Sequence, residues 1–162
     1  MTMLRTLAGA CVFALLAVLP AQSQNTQPPY GPPITLEAAK KAMAAAEAEA
    51  AKNNWPMAIA IIDSGGHLVM LHRMDNTQLS SVELSTGKAR SALYFKIPSK
   101  LLDEAISGGG AGLRFLALRD IVPLDGGLPL VADGKIVGAI GVSGMRSSNN
   151  AQVAQAGAEA MK

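Results

Sequence analysis

Two apolar runs flank Asp133 and Gly134 near the C-terminal end of the chain. This pair readily takes the positive φ values of a two-residue type I′ turn, so residues 126–144 predict a β-hairpin. The second run, residues 136–142, carries no charge, which is typical of a strand covered on both faces. That strand is therefore expected at the centre of a sheet, and the rest of the chain has to pack around it.

Two glycines interrupt this second run. A glycine weakens a strand unless another backbone or a ligand comes close to it. Gly138 and Gly141 therefore predict close packing against a helix, and the alternative is that a ligand approaches the strand there.

The first 23 residues have the pattern of an export signal. Arg5 supplies a positive charge, residues 7–19 form an apolar run, and small residues at Ala21 and Ser23 precede an expected cleavage. The apolar run is shorter than the roughly 20 residues that a membrane-spanning helix needs. We therefore expect cleavage rather than anchoring, and a periplasmic or secreted location.

Cleavage would also remove the only cysteine, Cys11, so the mature chain is expected to lack disulfides and thiolate chemistry. Loss of Arg5 lowers the 14 Lys and Arg residues to 13, against 12 Asp and Glu. This near balance leaves no electrostatic footprint for nucleic acid. Residues 24–33 contain four prolines and predict an extended, mobile lead-in. Residues 34–162 have a length that suits a single domain.

The periodicity of the chain predicts a helix from Thr35 to about Lys52, strands over 57–62 and 67–74, a helix to about Phe95 and a short helix after Ser99. Residues 107–112 predict a flexible glycine-rich connector. Residues 113–122 are ambiguous between strand and helix, although residues 121–123 suggest a short edge strand. A terminal helix is expected from Asn150. This order favours an α+β fold in which helices pack on a sheet of antiparallel hairpins.

Candidate functional side chains concentrate on the strand predicted over 67–74. In a regular strand His72 shares a face with Met70 and Met74, whereas His67 and Arg73 point to the other face. The two histidines therefore cannot both bind one metal ion from one subunit without a bulge, which disfavours a two-histidine metal site.

Lys88 falls on the apolar stripe of the helix that ends near Phe95. A lysine in this position usually directs its ammonium outward along the protein surface. Contact with a carboxylate is the alternative interpretation.

The order of these motifs resembles that of the GlcG/HbpS family, which includes haem-binding proteins and the C-terminal domain of PduO-type proteins. The matching segments are 62–68, 73–75, 88–89, 97–99, 126–129 and 138–144. The resemblance implies an antiparallel, roughly five-stranded sheet flanked by helices, assembled as a homo-oligomer, either a dimer or larger. The chain departs from the family at Asn149 and Asn150, where an acidic pair is frequent, and its first helix has no histidine.

The resemblance further implies an exported protein that binds haem or a related tetrapyrrole. His72 is then the candidate axial ligand of the iron, with Met74 and His67 as further cofactor contacts. Arg73 or Lys88 would meet the propionates. The alternative is that His72 is a half-exposed strand residue beside core-filling methionines, and that His67 is a surface turn residue.

Two other functions remain open. The family's link to glycolate utilisation suggests an enzyme, or an enzyme-associated domain, acting on a small carboxylic acid. His67 would supply a base, and Asp63 or Asp75 a carboxylate. Arg73 or Lys88 would supply a cation. The third function is an oligomeric interaction module without a ligand. The sequence has no nucleophile elbow, metal-ligand cluster or cofactor fingerprint, which favours binding over catalysis. Neither nucleic acid nor a membrane is expected as a partner after cleavage.

Overall fold

The computed structural model describes residues 27–161. These residues contain helices α1 (Leu36–Lys52), α2 (Ser81–Phe95), α3 (Lys100–Ser107) and α4 (Ser147–Glu159), a 3-10 helix (Gly110–Ala117), and strands β1 (Ala58–Asp63), β2 (Leu68–Arg73), β3 (Gly127–Ala132) and β4 (Lys135–Ser143). The strands form one antiparallel sheet in the order β2-β1-β4-β3. Within this part of the chain, no helix is both long enough and apolar enough to span a bilayer.

The hairpin predicted from Asp133 and Gly134 is confirmed. These residues have φ values of 48° and 70°, and they connect β3 to β4. β4 lies between β1 and β3, and all of its residues after Lys135 are buried. The uncharged second run is therefore the central strand, as expected.

The two faces of the sheet carry separate apolar clusters. One cluster joins Ile59 and Ile140 to α1 and α4, and we call this side the α1/α4 face. The other joins Ile62 and Ala139 to α2, and we call this side the α2 face. Side chains on successive residues of a strand alternate between these faces.

Small residues allow the helices to come close to the sheet and to each other. α1 begins after Thr35, whose side chain accepts a hydrogen bond from the Ala38 amide (3.2 Å). A Cβ at Gly157 of α4 would lie 3.0 Å from the carbonyl oxygen of Ala42 on α1. α4 itself begins at Ser147, earlier than predicted, because the Asn150 side chain bonds the backbone of Met145 rather than capping the helix.

The two glycines of β4 are explained by close packing. A Cβ at Gly141 would collide with the carbonyl oxygen of Ser85 on α2, so the predicted contact with a helix is confirmed there. At Gly138 a Cβ would collide with the carbonyl oxygen of Ile62, so the close neighbour is strand β1 instead. Protein atoms therefore fill the space in which a ligand was the alternative.

The expectation of roughly five strands is wrong, because residues 27–161 contain four. The 3-10 helix covers the first half of the ambiguous region 113–122. Residues 121–123 do not pair with the sheet, because the Val122 amide donates to the Ser91 hydroxyl of α2 (2.8 Å). In place of a fifth strand, the described residues contain only an isolated parallel bridge between Tyr30 and Ile136.

The proline-rich lead-in differs from the mobile segment that was predicted. Its last residues lie beside β4, where the Gly31 amide donates to the carbonyl of Ile136 (2.8 Å). The Tyr30 hydroxyl donates to the carbonyl of Leu93 on α2 (2.7 Å), and burial raises the pKa of Tyr30. Residues 29–31 are therefore held against β4 and α2. The export signal predicted over residues 1–23, with Cys11, lies outside the described residues.

Candidate functional site

His72 presents an imidazole nitrogen to solvent in a fixed orientation. It pairs with Ile59, which places its side chain on the α1/α4 face. Its Nδ1 lies 2.7 Å from Oε1 of Glu47 on α1, and the two side chains are 44% and 38% exposed. A carboxylate only accepts hydrogen bonds, so Nδ1 carries the proton and the lone pair of the neutral ring lies on Nε2. Nε2 is therefore available to a metal ion.

A cleft of about 440 Å³ lies just beyond the end of β2, and His72 does not line it. It is lined by Ala51, Asn54, Trp55, Pro56, Met74, Asp75 and Asn76. Met74 follows His72 by two residues on the same face, a distance of roughly 7 Å along the strand. Trp55 and Met74 are partly buried and pack against the apolar cluster of that face. Their indole and thioether groups offer a polarisable surface that suits a flat aromatic ring.

Opposite charges lie at the two ends of the surface between α1 and β2. Asp75 lines the cleft at one end. Lys40 is exposed on α1, two turns before Glu47, and lies on the same flank of the helix roughly 10 Å away. An anionic group bound along this surface would therefore orient towards Lys40.

The structure does not gather the predicted site residues into one place. Met70 and Met74 share the face of His72, as expected. Arg73 pairs with Ala58 and faces the other side of the sheet. His67 lies in the turn before β2, where its amide donates to Oδ1 of Asp63 (2.9 Å).

The expectation that Lys88 directs its ammonium outward is wrong. Lys88 is 2% exposed on the α2 face, and its Nζ donates to the carbonyl of Val142 (3.0 Å). The loop before β3 closes over it, because a Cβ at Gly126 would lie 3.2 Å from this Nζ. Burial lowers the pKa of Lys88 to about 8, against the opposing charges of Asp125 and Asp103. The sheet separates this ammonium from His72, so both cannot contact one ligand in the same subunit.

The residues suggested for acid chemistry are equally dispersed. The Asp63 carboxylate is engaged by backbone amides of its own turn. His67 and Arg73 lie at opposite ends of β2, roughly 20 Å apart along the strand. Residues 27–161 also contain no group of three or more His, Cys, Asp or Glu side chains that could hold a metal ion.

Two further clefts lie at the opposite edge of the sheet from β2. They measure about 500 and 300 Å³ and meet at Ala132, Asp133 and Met161. Neither is lined by a histidine or by any predicted site residue. Of these three clefts, only the one of about 440 Å³ is lined by a predicted site residue, Met74.

Glu47, Trp55 and Lys40 were missed by the sequence analysis. Glu47 precedes His72 by 25 residues and lies on a different element. Helical periodicity alone places Glu47 and Lys40 on one flank of α1. It does not say that this flank lies beside β2.

Comparison with known proteins is consistent with this architecture. A family model described as "Haem degrading protein HbpS-like" matches residues 34–159. Protein GlcG of Escherichia coli K12 is 38% identical over 110 residues, which cover 68% of this chain and 81% of that protein.

Solved structures share the fold. HbpS of Streptomyces reticuli, solved as a double mutant, superposes with a TM-score of 0.75 at 29% identity, covering 96% of this chain and 99% of that chain. PduOC, solved in complex with haem, superposes with a TM-score of 0.74 at 26% identity, covering 80% and 96%. Because the family match extends over most of the chain and the sequence and fold likenesses agree, the chain belongs to the GlcG/HbpS family.

Proposed function

We propose that this protein binds haem, or a related tetrapyrrole, on the surface between α1 and β2, with Nε2 of His72 as the axial ligand of the iron. The observation that carries the proposal is the 2.7 Å contact between His72 Nδ1 and Glu47, which in the neutral ring places the lone pair on Nε2. Two comparisons support it: the matching family is described as haem degrading, and the related PduOC was solved as a haem complex.

The side chains at this surface fit the chemistry of a haem. A neutral imidazole is a common axial ligand of haem iron. Trp55 and Met74 supply apolar contact area for the porphyrin ring. Lys40 would supply a cation for the propionates. Asp75, at the other end of the surface between α1 and β2, would repel them. When bound, the haem would supply iron-centred ligand-binding and redox chemistry.

Each residue then has a separate task. Glu47 orients the imidazole through the hydrogen bond to Nδ1. Met74 lies on the same face as His72 and would supply apolar contact to the bound group. His67, Arg73 and Lys88 lie away from this surface and take no part in the proposed site.

Titration of the purified mature protein with haemin, followed by absorbance, tests the proposal. We expect a saturable shift of the Soret band for the unaltered protein. The His72→Ala variant should bind at least tenfold more weakly, because it lacks the axial ligand. The His67→Ala variant is the matched control and should bind like the unaltered protein. Equal affinities of His72→Ala and the unaltered protein would contradict the assignment of His72.

A second variant in the same titration separates the ligand from its orienting partner. Glu47→Gln keeps the size of the side chain but removes the charge, and we expect roughly tenfold weaker binding with the imidazole still coordinated. Glu37→Gln makes the same change in the first turn of α1 and serves as its control. If Glu47→Gln and Glu37→Gln bind haemin equally, Glu47 has no role in the site.

We also infer that the chain is exported and that residues 1–23 are removed, which would place the protein in the periplasm or outside the cell. The support is the charged start, the apolar run and the small residues before position 24. Cell fractionation followed by intact-mass measurement checks this expectation. The processed chain should begin near Gln24 and be recovered outside the cytoplasm. A full-length cytoplasmic chain would refute it.

We infer in addition that the protein is a homo-oligomer, as the resemblance implies. Several large apolar side chains are exposed on the single chain, among them Leu79, Leu113 and Leu116, and they support the inference.

A further inference from the structure

Strand β2 carries a methionine on each side of His72. Met70, His72 and Met74 follow one another at every second position, and all three side chains project to the α1/α4 face. The two methionines are partly buried there, whereas the His72 side chain is 44% exposed. The strand therefore presents an imidazole between two thioethers, an arrangement that the proposed haem site does not require.

Only one of the two sulfurs can share a metal ion with His72. Alternate residues of a strand are roughly 7 Å apart, so Met70 and Met74 are separated by roughly twice that distance. A methionine has three rotatable bonds, which let its sulfur swing towards a neighbouring group, but the two sulfurs cannot meet at one ion. Met74 is the better placed, because it lines the cleft of about 440 Å³ and is reached from solvent.

Two further side chains in this cleft favour a cation beside Met74. Trp55 lines the cleft together with Met74 and is partly buried. The face of an indole ring attracts a cation through its quadrupole. Asp75 follows Met74 directly, lines the same cleft and adds a negative charge. A positive ion bound by the sulfur of Met74 would therefore lie in a favourable electrostatic environment.

The imidazole of His72 offers one nitrogen to such an ion. Oε1 of Glu47 lies 2.7 Å from Nδ1, which holds the proton on Nδ1 and places the lone pair of the neutral ring on Nε2. A carboxylate that accepts a hydrogen bond from the second ring nitrogen is a usual partner of a metal-binding histidine. One nitrogen and one thioether sulfur are thus available from the same strand face.

This pair of ligands is selective for one kind of metal. Thioether sulfur is a soft ligand that suits Cu(I), whereas carboxylate and carbonyl oxygens suit Mg²⁺ or Ca²⁺. Structural zinc requires a complete tetrahedron of ligands. Residues 27–161 bring together no group of three or more His, Cys, Asp or Glu side chains that could supply one. The same residues contain no cysteine, so methionine is the softest ligand among them.

We infer that His72 and Met74 form a Cu(I) site, with Nε2 and the thioether sulfur as ligands and the indole of Trp55 beside the ion. Cu(I) accepts low coordination numbers, so few ligands suffice. Haem iron and Cu(I) would compete for the same Nε2. Copper, however, requires the sulfur of Met74, whereas haem requires only apolar contact from that residue. Copper binding therefore goes beyond the proposed haem function and does not depend on it.

Anaerobic titration of the metal-free mature protein with Cu(I), in competition with the chelator bicinchoninate, tests this site. We expect a single bound ion per chain in the unaltered protein. His72→Ala and Met74→Leu should each bind at least roughly tenfold more weakly, because losing even the hydrogen-bond partner of a metal ligand typically costs that much. Leucine replaces methionine with little change of volume, so Met74→Leu keeps the packing. Met70→Leu, on the same strand face, is the matched control and should bind like the unaltered protein.

Fluorescence gives a second readout, because Trp55 is the only tryptophan of the chain. Ag(I) shares the preference of Cu(I) for soft ligands and does not undergo the same oxidation. It should change the emission of the unaltered protein and of Met70→Leu, but not that of Met74→Leu. Equal metal affinities of Met74→Leu and the unaltered protein would overturn the inference, and so would a loss of binding in Met70→Leu alone.

Haemin titration of the same variants separates this site from the proposed function. Met74→Leu should keep its haem affinity, because leucine preserves the apolar contact, whereas His72→Ala should lose both ligands. An unaltered protein that binds haemin but not Cu(I) would refute only the copper site. Cu(I) binding as expected, without saturable haem binding in any of these proteins, would support the copper site and refute only the proposed function.

Discussion

The Gly141→Ala variant is expected to lose about 3 kcal/mol of unfolding free energy relative to the unaltered protein. A Cβ at this position would collide with the carbonyl oxygen of Ser85 and lie 2.6 Å from the Ala89 amide nitrogen. Both obstacles are backbone atoms of α2, so no side-chain rotation can relieve the contact. The helix would have to shift away from the central strand and loosen the cluster around Ile62 and Ala139.

Urea unfolding followed by far-UV circular dichroism measures this loss as a lower midpoint. Gly65→Ala is the matched control, because the atoms nearest to its new methyl group belong to the exposed His67 ring and the Asp63 side chain. We expect that control to stay within about 0.5 kcal/mol of the unaltered protein. If Gly141→Ala and Gly65→Ala unfold at the same urea concentration, the close approach of α2 to β4 is not a constraint on stability.

The second large effect concerns Lys88 and alkaline pH. The folded chain holds the pKa of Lys88 at about 8, below the ordinary value of 10.5. Between these two pH values the unfolded chain binds more protons, so raising the pH favours the folded state. We expect this residue to add up to about 3 kcal/mol to the unfolding free energy between pH 8 and pH 10.5. Below pH 8 the contribution is absent, since both states are then protonated.

The difference between the unaltered protein and Lys88→Met isolates this contribution. Asp103 and Asp125, whose charges oppose the shift, are present in both proteins. The raised pKa of Tyr30 acts in the opposite direction near pH 10, but it is common to both proteins. Lys100→Met, at an exposed lysine, is the control. Parallel curves of stability against pH for Lys88→Met and the unaltered protein would show that Lys88 keeps its ordinary pKa.

The parts of the fold that the sequence predicted well depend on local chemistry. Asp133 and Gly134 define their own turn, and the absence of charge over 136–142 is enough to place that strand at the centre of the sheet. Gly141 indicated that another element packs closely against β4, but the sequence did not identify that element. α2 provides that neighbour, and its predicted end at Phe95 is confirmed.

The parts that failed depend on contacts between distant residues. Residues 121–123 have the composition of an edge strand, but the Ser91 hydroxyl takes their backbone away from the sheet. Lys88 falls on the apolar stripe of its helix, where a lysine usually directs its ammonium outward, but the loop at Gly126 closes over it. The candidate site also depends on such a contact. The sequence alone identified His72 as a candidate, whereas its partner Glu47 could be identified only once α1 was seen to pack beside β2.

The docking of the lead-in against β4 has a consequence for where the chain can be shortened. β1 pairs with β4 only as far as Gly138, and beyond that point the backbone of Ile136 is satisfied by Pro29 and Gly31. A truncation at residue 34, where the family match begins, would strip those partners from the central strand. The uncovered backbone would then act as an open sheet edge, the feature that recruits strands from other molecules and promotes aggregation. The smallest well-behaved version of this domain therefore includes Pro29.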